Sequence, residues 1–204
     1  MKIVREEILI NCGAFADATE WRAVRTKLHK AIKDVEWPPG SGKFTIYAQS
    51  GKKRGQGNGV KPIKMGLMLD LKKQGWSIEE PVKGEKKGKR NPGNYDAVFE
   101  TNHGLVAVEW ETGNVSSSHR SLNKMTMGLM RGTLAAGILI VPSREFYRYL
   151  TDRVGNIQEL EPYFDLWKSI PCKQGILEIA VIEHDAASLK VPRIKKGTDG
   201  RALA

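Results

Sequence analysis

The stretch YDAVFETNHGLVAVEWE (95–111) decides the fold. YDAVFET (95–101) and LVAVEWE (105–111) are rich in β-branched and aromatic residues, and Asn102-His103-Gly104 between them is a turn. The pattern predicts a β-hairpin. Side chains two apart on a strand face the same way, so Glu109 and Glu111 project together with Trp110 opposite. If the hairpin pairs in this register, Asp96 comes close to Glu109. Carboxylates at contact distance repel, raise one another's pKa and cost stability unless a cation sits among them. A hard divalent cation, Mg²⁺ above all, uses a few carboxylates together with water and phosphate oxygens. On spacing alone, an E-x-E strand end more often describes a solvent-facing strand.

Outward from the hairpin, strands and helices alternate. MKIVREEILI (1–10) reads as a first strand. Residues 17–35 read as a helix with Trp21, Val24, Leu28, Ala31 and Ile32 on one face, and Asp17 with Glu20 resembles a capping box. Pro38 and Pro39 end that region, and Pro62 opens a helix carrying Ile63, Leu67 and Leu71 that stops at Gly75. A further helix runs from Ser116 to Arg131 with Leu122, Met125 and Leu129 in line. AAGILIVP (135–142) is a continuous apolar run, as expected of a buried central strand. Ser143 caps a helical segment with Phe146, Tyr147, Leu150 and Val154 inward, and GILEIAVIEHD (175–185) is a last strand. A hairpin and a helix crossover together predict an α/β fold with a mixed sheet. No repeat or linker interrupts the chain, so 1–204 reads as a single domain.

Composition narrows the function. The 204 residues are 40% hydrophobic and 27% charged, which excludes a disordered or membrane-embedded chain. The net charge is +10, pointing to a polyanionic partner. From Lys52 to Arg90 there are 12 basic and 4 acidic residues, and this stretch holds the Gly-rich basic segments GKKRGQGNG (51–59) and VKGEKKGKRNPG (82–93). Glycine frees the backbone and lysine reaches far, which suits contact with phosphates. A second basic cluster is Lys190, Arg193, Lys195, Lys196 and Arg201. Cys12 and Cys172 form no zinc spacing, and the four histidines show none either. Arg5, Glu6 and Glu7 stand where a signal peptide needs an apolar run, so a cytoplasmic protein with no membrane contact is expected. Carboxylates beside basic loops are what phosphodiester hydrolysis requires. A sequence-specific DNA-binding protein without nuclease activity is the alternative, though it gains nothing from carboxylates near phosphates. An RNA-binding protein is disfavoured by the lack of an RNP-like aromatic motif.

Five segments carry a family resemblance: LVAVEWETGNVSSSHRSLNKMTMGLMR (105–131), YLTDRV (149–154), ELEPYF (159–164), VPRIKKGTDG (191–200) and NGVKPIK (58–64). They resemble the BamHI family of type II restriction endonucleases, from about Trp37 onward. The resemblance implies the restriction-endonuclease-like PD-(D/E)xK fold, a central mixed sheet flanked by helices on both sides. It implies metal-dependent double-strand cleavage of GGATCC after the first G, leaving 5′ overhangs. Asp96 and Glu109 then look like the metal carboxylates, joined by the main-chain carbonyl of Trp110, and Glu79 in WSIEEPV matches a fourth acidic residue. Glu111 stands where most of the superfamily carries lysine; in this family it is a glutamate proposed as the general base. Without that lysine's charge the burden moves to the metals, which favours two Mg²⁺ ions per active site, with Mn²⁺ as a substitute. The sequence departs from the family at Trp110, where the relative has Phe, and at Tyr95.

The same resemblance assigns recognition. Arg120 and Arg153 would read guanines, Asp152 would accept from cytosine, and Asn114 and Ser116 would read the inner A·T pair. Lys64, Gly197 and Asp199 match further DNA contacts, the last two in an arm, Lys195 to Asp199, expected to order on DNA. A palindromic site calls for a homodimer, expected through helices near 116–131 and 143–154 with Leu129, Met130, Tyr147 and Leu150.

Overall fold

The computed structural model describes residues 1–53, 55–79, 93–111, 113–151 and 154–196. In chain order these form β1 (Lys2–Cys12), α1 (Thr19–Asp34), β2 (Thr45–Tyr47), α2 (Lys61–Lys73), β3 (Ser77–Ile78), β4 (Ala97–Thr101) and β5 (Gly104–Trp110). There follow α3 (Val115–Met130), β6 (Leu134–Pro142), α4 (Arg144–Tyr147), α5 (Ile157–Leu160), α6 (Phe164–Lys168), β7 (Gly175–Glu183) and β8 (Ala186–Ser188). Six strands make one sheet in the order β1-β7-β6-β5-β4-β3, and β2 pairs with β8 separately. The pairs β5–β6 and β6–β7 are parallel, whereas β1–β7, β3–β4 and β4–β5 are antiparallel. The mixed sheet expected from the hairpin and the crossover is therefore present.

Alternation along β5 sorts the core into two layers. Val106 and Val108 face a cluster built with Trp21, Leu28 and Ile32 of α1 and Ile63, Leu67 and Leu71 of α2. Ala107 faces the opposite cluster, built with Leu122, Met125 and Leu129 of α3 and with Leu160, Phe164 and Trp167. Helices thus cover both faces, and β6, covered twice, is buried throughout. Glycine lets α3 lie close on β6. A Cβ at Gly128 would come within 2.7 Å of Leu134, and one at Gly137 within 2.8 Å of Met125. This close seating brings the polar side chains of α3 to the end of the β4–β5 hairpin.

Two local expectations are corrected. Asp17 and Glu20 form no capping box: α1 starts after Ala18 with no side-chain cap, and Glu20 instead accepts from the main-chain N–H of Asn102 at 3.2–3.3 Å. The bond across to the hairpin turn wins over the local one. The helix expected over 143–154 is a single turn, α4, capped as foreseen by Ser143, whose hydroxyl accepts from Phe146 N–H at 3.0 Å. Phe146, Leu150 and Val154 are buried, but Tyr147 is half-exposed. Beyond α4 the chain instead bonds to the basic loop: Asn58 N–H donates to Tyr149 O at 2.8 Å and Thr151 N–H to Asn58 O at 3.0 Å.

Candidate active site

The register Ala97↔Val108 puts Asp96 across from Glu109 at the end of the hairpin. Asp96 is fixed from two sides. Its Oδ2 accepts from the Trp110 main-chain N–H at 2.9 Å, and its Oδ1 meets Lys64 Nζ at 2.6 Å. Glu109 is only 4% exposed and forms an ion pair with Lys124 of α3. The Lys124 ammonium also donates to Asn94 O at 2.6 Å and lies 4.5 Å from the centre of the Tyr95 ring. Glu111 lies just past β5, where its N–H donates to Ile140 O at 3.1 Å and its Oε1 accepts from Ser121 Oγ at 2.6 Å. Asp96, Glu109 and Glu111 line one cleft of about 340 Å³, which Arg120 also borders.

The electrostatics of the cleft follow from burial. Burial pushes the Glu109 carboxyl from the ordinary 4.5 up to about 7; Lys124 opposes the rise, and the charges on Asp96 and Glu111 add to it. The possible ligand atoms lining the cleft are oxygens of carboxylates, of Ser121, of Asn94 and of the main chain, with no imidazole or thiol among the described lining residues. Such an all-oxygen set fits a hard divalent cation rather than zinc or copper. Asp96 and Glu109 would hold it, with the Trp110 carbonyl alongside. Among the described residues the three whose ligand-type atoms all lie within 4.8 Å of one another are Glu6, His29 and Glu178, not Asp96, Glu109 and Glu111. That group lies on β1, α1 and β7, and Arg25 already pairs with both of its glutamates, its guanidinium 2.7 Å from Glu6 and 3.1 Å from Glu178.

The remaining expected residues fall in three groups. Glu79 borders the site by its backbone only: its N–H donates to Asp96 O at 3.0 Å and its O accepts from Asn94 Nδ2 at 2.7 Å. Its side chain is exposed and does not line the cleft, and its φ of 56° is unusual for a non-glycine residue. Asn114, Ser116 and Arg120 are exposed along the first half of α3, and Asn114 caps the helix by accepting from Ser117 N–H at 3.2 Å. Asp152, Arg153, Gly197 and Asp199 lie outside the described residues, as does most of the second basic segment.

Spacing gave no hint of Ser121 and Lys124, which reach the two glutamates. A signal existed: both are polar residues three apart on the sheet-facing side of a helix, and both are buried. Asn58 was missed as well. Wholly buried, it donates to Tyr47 O and Tyr149 O, both at 2.9 Å, and accepts from Ile194 N–H at 3.2 Å. It pins the basic loop 51–59 to the turn after α4 and to the segment leading into 195–199. The glycines of that loop serve close approach more than freedom. A Cβ at Gly51 would fall 1.6 Å from Leu150 O, and one at Gly59 would fall 2.1 Å from Lys195 O.

Comparison with known proteins identifies the fold and the family. A family model, "Restriction endonuclease BamHI", matches residues 1–201. The chain is 46% identical over 203 residues, the full length of both chains, to the type II restriction enzyme OkrAI of Oceanobacter kriegii. That identity marks a relative rather than the same protein. It is also 38% identical over 171 residues to the type II restriction enzyme BamHI of Bacillus amyloliquefaciens, covering 80% of this chain and 75% of the relative. Among solved structures, the restriction endonuclease BglII complexed with a DNA 16-mer superposes with a TM-score of 0.58 at 9% identity, over 89% of this chain and 79% of that one. That likeness establishes a restriction-endonuclease-like fold. The family match and the full-length relative go further: this chain belongs to the BamHI family of type II restriction endonucleases.

Proposed function

We propose that this chain, as one domain, makes Mg²⁺-dependent double-strand cuts in DNA at GGATCC, after the first G, leaving 5′ overhangs. It works as a cytoplasmic homodimer. The observation that carries the reading is the joining of two functions on α3. The helix presents Asn114, Ser116 and Arg120 outward and sends Ser121 and Lys124 inward to the two glutamates.

Asp96 and Glu109 would hold the metal with the Trp110 carbonyl; Glu79, whose side chain lies outside the cleft, would have to turn inward to join them as a fourth acidic group. When bound, two Mg²⁺ ions, or Mn²⁺ in their place, supply Lewis acidity at the scissile phosphate and acidify water. Glu111 accepts the proton of the attacking water as general base, oriented by its hydrogen bond from Ser121. Arg120 and Arg153 read guanine, Asp152 accepts from cytosine, and Asn114 and Ser116 read the inner A·T pair. Lys64 turns from Asp96 to the DNA. Gly197 and Asp199, which follow the basic Lys195 and Lys196, touch the minor groove. A palindromic site pairs with a two-fold dimer. Of the four side chains expected at that contact, Leu129 and Leu150 are buried in the chain's own core and Tyr147 is half-exposed, so only Met130 is free to serve; Met127 beside it, and Tyr163 and Leu166 after α5, are further exposed apolar side chains suited to the contact.

Incubation with plasmid and Mg²⁺, with and without EDTA, tests the reading. Discrete fragments only in the presence of metal support it. A salt-sensitive gel shift without cleavage supports a DNA-binding protein that does not cut. Sequencing the cut ends fixes site and stagger together. Glu111→Lys tests the base: full activity in that variant would show that no carboxylate is needed there.

A further inference from the structure

Among the described residues the cleft is electrically balanced. Asp96, Glu109 and Glu111 face Lys64, Arg120 and Lys124. Lys64 and Arg120 are accessible and can turn away to DNA; Lys64 is 31% exposed in its side chain. Lys124 is different. Its side chain is 8% exposed, its ammonium is shared between Glu109 and the Asn94 carbonyl, and the face of Tyr95 closes over it. Tyr95 is tied in turn to the same helical turn, its hydroxyl donating to Lys124 O at 3.3 Å. A buried ammonium held this way cannot leave the cleft.

A fixed positive charge has a consequence for metal binding. A divalent cation arriving at Glu109 meets Lys124 at close range, in a site where charges are poorly screened. Without an added anion the cleft would go from balanced to strongly positive. The DNA phosphate is such an anion. Resting on the metal-site reading above, we propose that Lys124 is the resident counter-cation of the catalytic cleft, a positioning residue that holds Glu109 in place and makes metal binding depend on DNA. Coupling of this kind is reciprocal, so metal strengthens DNA binding by the same factor. The device keeps a nuclease unloaded until its substrate is present.

Calorimetric titration of the full chain with Ca²⁺, with and without a duplex containing GGATCC, tests this. The wild type is expected to bind Ca²⁺ at least about tenfold more tightly when the duplex is present. Lys124→Gln is expected to raise the affinity of the DNA-free protein by about tenfold and to shrink the coupling correspondingly. Lys124→Arg, which keeps the charge, stays near the wild type. A purely structural role would lower the melting temperature and leave Ca²⁺ affinity unchanged or weaker, and that result overturns the proposal. Should Lys124→Gln fail to fold, the wild type alone decides: equal Ca²⁺ affinity with and without duplex also overturns it. Glu109→Gln separates the two readings. If Ca²⁺ binding needs Glu109 but is equally tight with Lys or Gln at 124, only the role of Lys124 fails. If Glu109→Gln changes nothing, the metal site itself has been misread, and the proposal falls with it.

Discussion

Two glutamates are buried in the central sheet, on opposite faces, and each meets a cation from a helix. Glu178 on β7 is 2% exposed and accepts three bonds from Arg25 of α1: Nε to Oε1 at 3.3 Å, Nε to Oε2 at 3.1 Å and Nη2 to Oε1 at 3.1 Å. The same guanidinium reaches Glu6 on β1, and Glu6 meets His29 at 2.8 Å. Glu109 on β5 is similarly buried but meets the single ammonium of Lys124, with Asp96 and Glu111 in the same cleft. Burial pushes both carboxyls up. The partners differ in kind. An arginine fork matches both carboxylate oxygens and locks them, whereas an ammonium is a point charge that leaves oxygen lone pairs to share. The first arrangement ties two strands to a helix; the second leaves a carboxylate able to take another cation.

The comparison breaks most visibly in catalysis. Asp96→Asn and Glu109→Gln should each lower the single-turnover rate of plasmid cleavage by more than about 100-fold, the upper end for a residue that merely supports a ligand. Glu178→Gln should leave the rate within about threefold, since it acts on stability alone. An active Glu109→Gln variant would make the two sites equivalent and remove the distinction.

Stability should reverse the order. Arg25→Met strips the partner from a buried carboxylate, a change that costs about 3–5 kcal/mol when both groups are buried. Arg25 is 31% exposed in its side chain, so about 3 kcal/mol is the better figure. In a chain of this size that is a fall of about 6–12 °C in melting temperature. Lys124→Gln should cost less, because glutamine can still donate to Glu109 and to the Asn94 carbonyl, whereas methionine at 25 offers Glu178 no donor. A larger loss at Lys124 than at Arg25, read by thermal melts in EDTA, would show the active-site pair to be the structural one.

The sequence made the first of these sites legible and hid the second. Asp96, Glu109 and Glu111 stand within one hairpin, where a two-residue period and a short turn nearly fix their relation; the turn is Asn102-His103, one residue shorter than expected, because Gly104 already pairs with Thr101, and that register sets Asp96 opposite Glu109. Arg25 and Glu178 are 153 residues apart and meet only because β7 pairs with β1 beside α1. The same long range hid Lys124 and Ser121, whose partners lie across the gap between α3 and β5. Periodicity found the buried stripes of α1, α2 and α3 because packing against a flat sheet obeys it. It failed after Ser143, where Phe146, Leu150 and Val154 keep helical spacing while the chain turns aside to bond to Asn58. The Asp17–Glu20 cap failed for a similar reason, since Glu20 found a partner on the hairpin. Asp152, Arg153, Gly197 and Asp199 lie outside the described residues, and their roles rest on the family resemblance alone.

A smaller effect probes the hold of α3 on the second glutamate. Ser121→Ala removes the hydroxyl that donates to Glu111 and changes no charge. Loss of an orienting bond to a catalytic group should lower the cleavage rate by about tenfold. DNA affinity, measured in EDTA, should not move, since Ser121 faces the sheet. A matching fall in affinity would mean that α3 itself has shifted.

The pair can also be separated by the pH dependence of the metal-free fold. Glu109 titrates near 7 in the folded chain and near 4.5 when unfolded. Between those values the folded chain keeps a proton that the unfolded chain has released. By linkage, this group's contribution makes stability fall as pH rises through the window and level off above it. Glu109→Gln cannot lose a proton, so its melting temperature should gain on the wild type from about pH 4.5 to 7, by up to about 7–14 °C across the whole window. His29 and His184 pull the other way: burial holds both below 6.5, so their contribution is lost as pH falls through that range. Both variants carry those histidines, and the difference between the two melting curves isolates Glu109. A difference that stays flat across the window would mean that Lys124 keeps the carboxylate ionised throughout, making its pair as tightly locked as the one on the far side of the sheet.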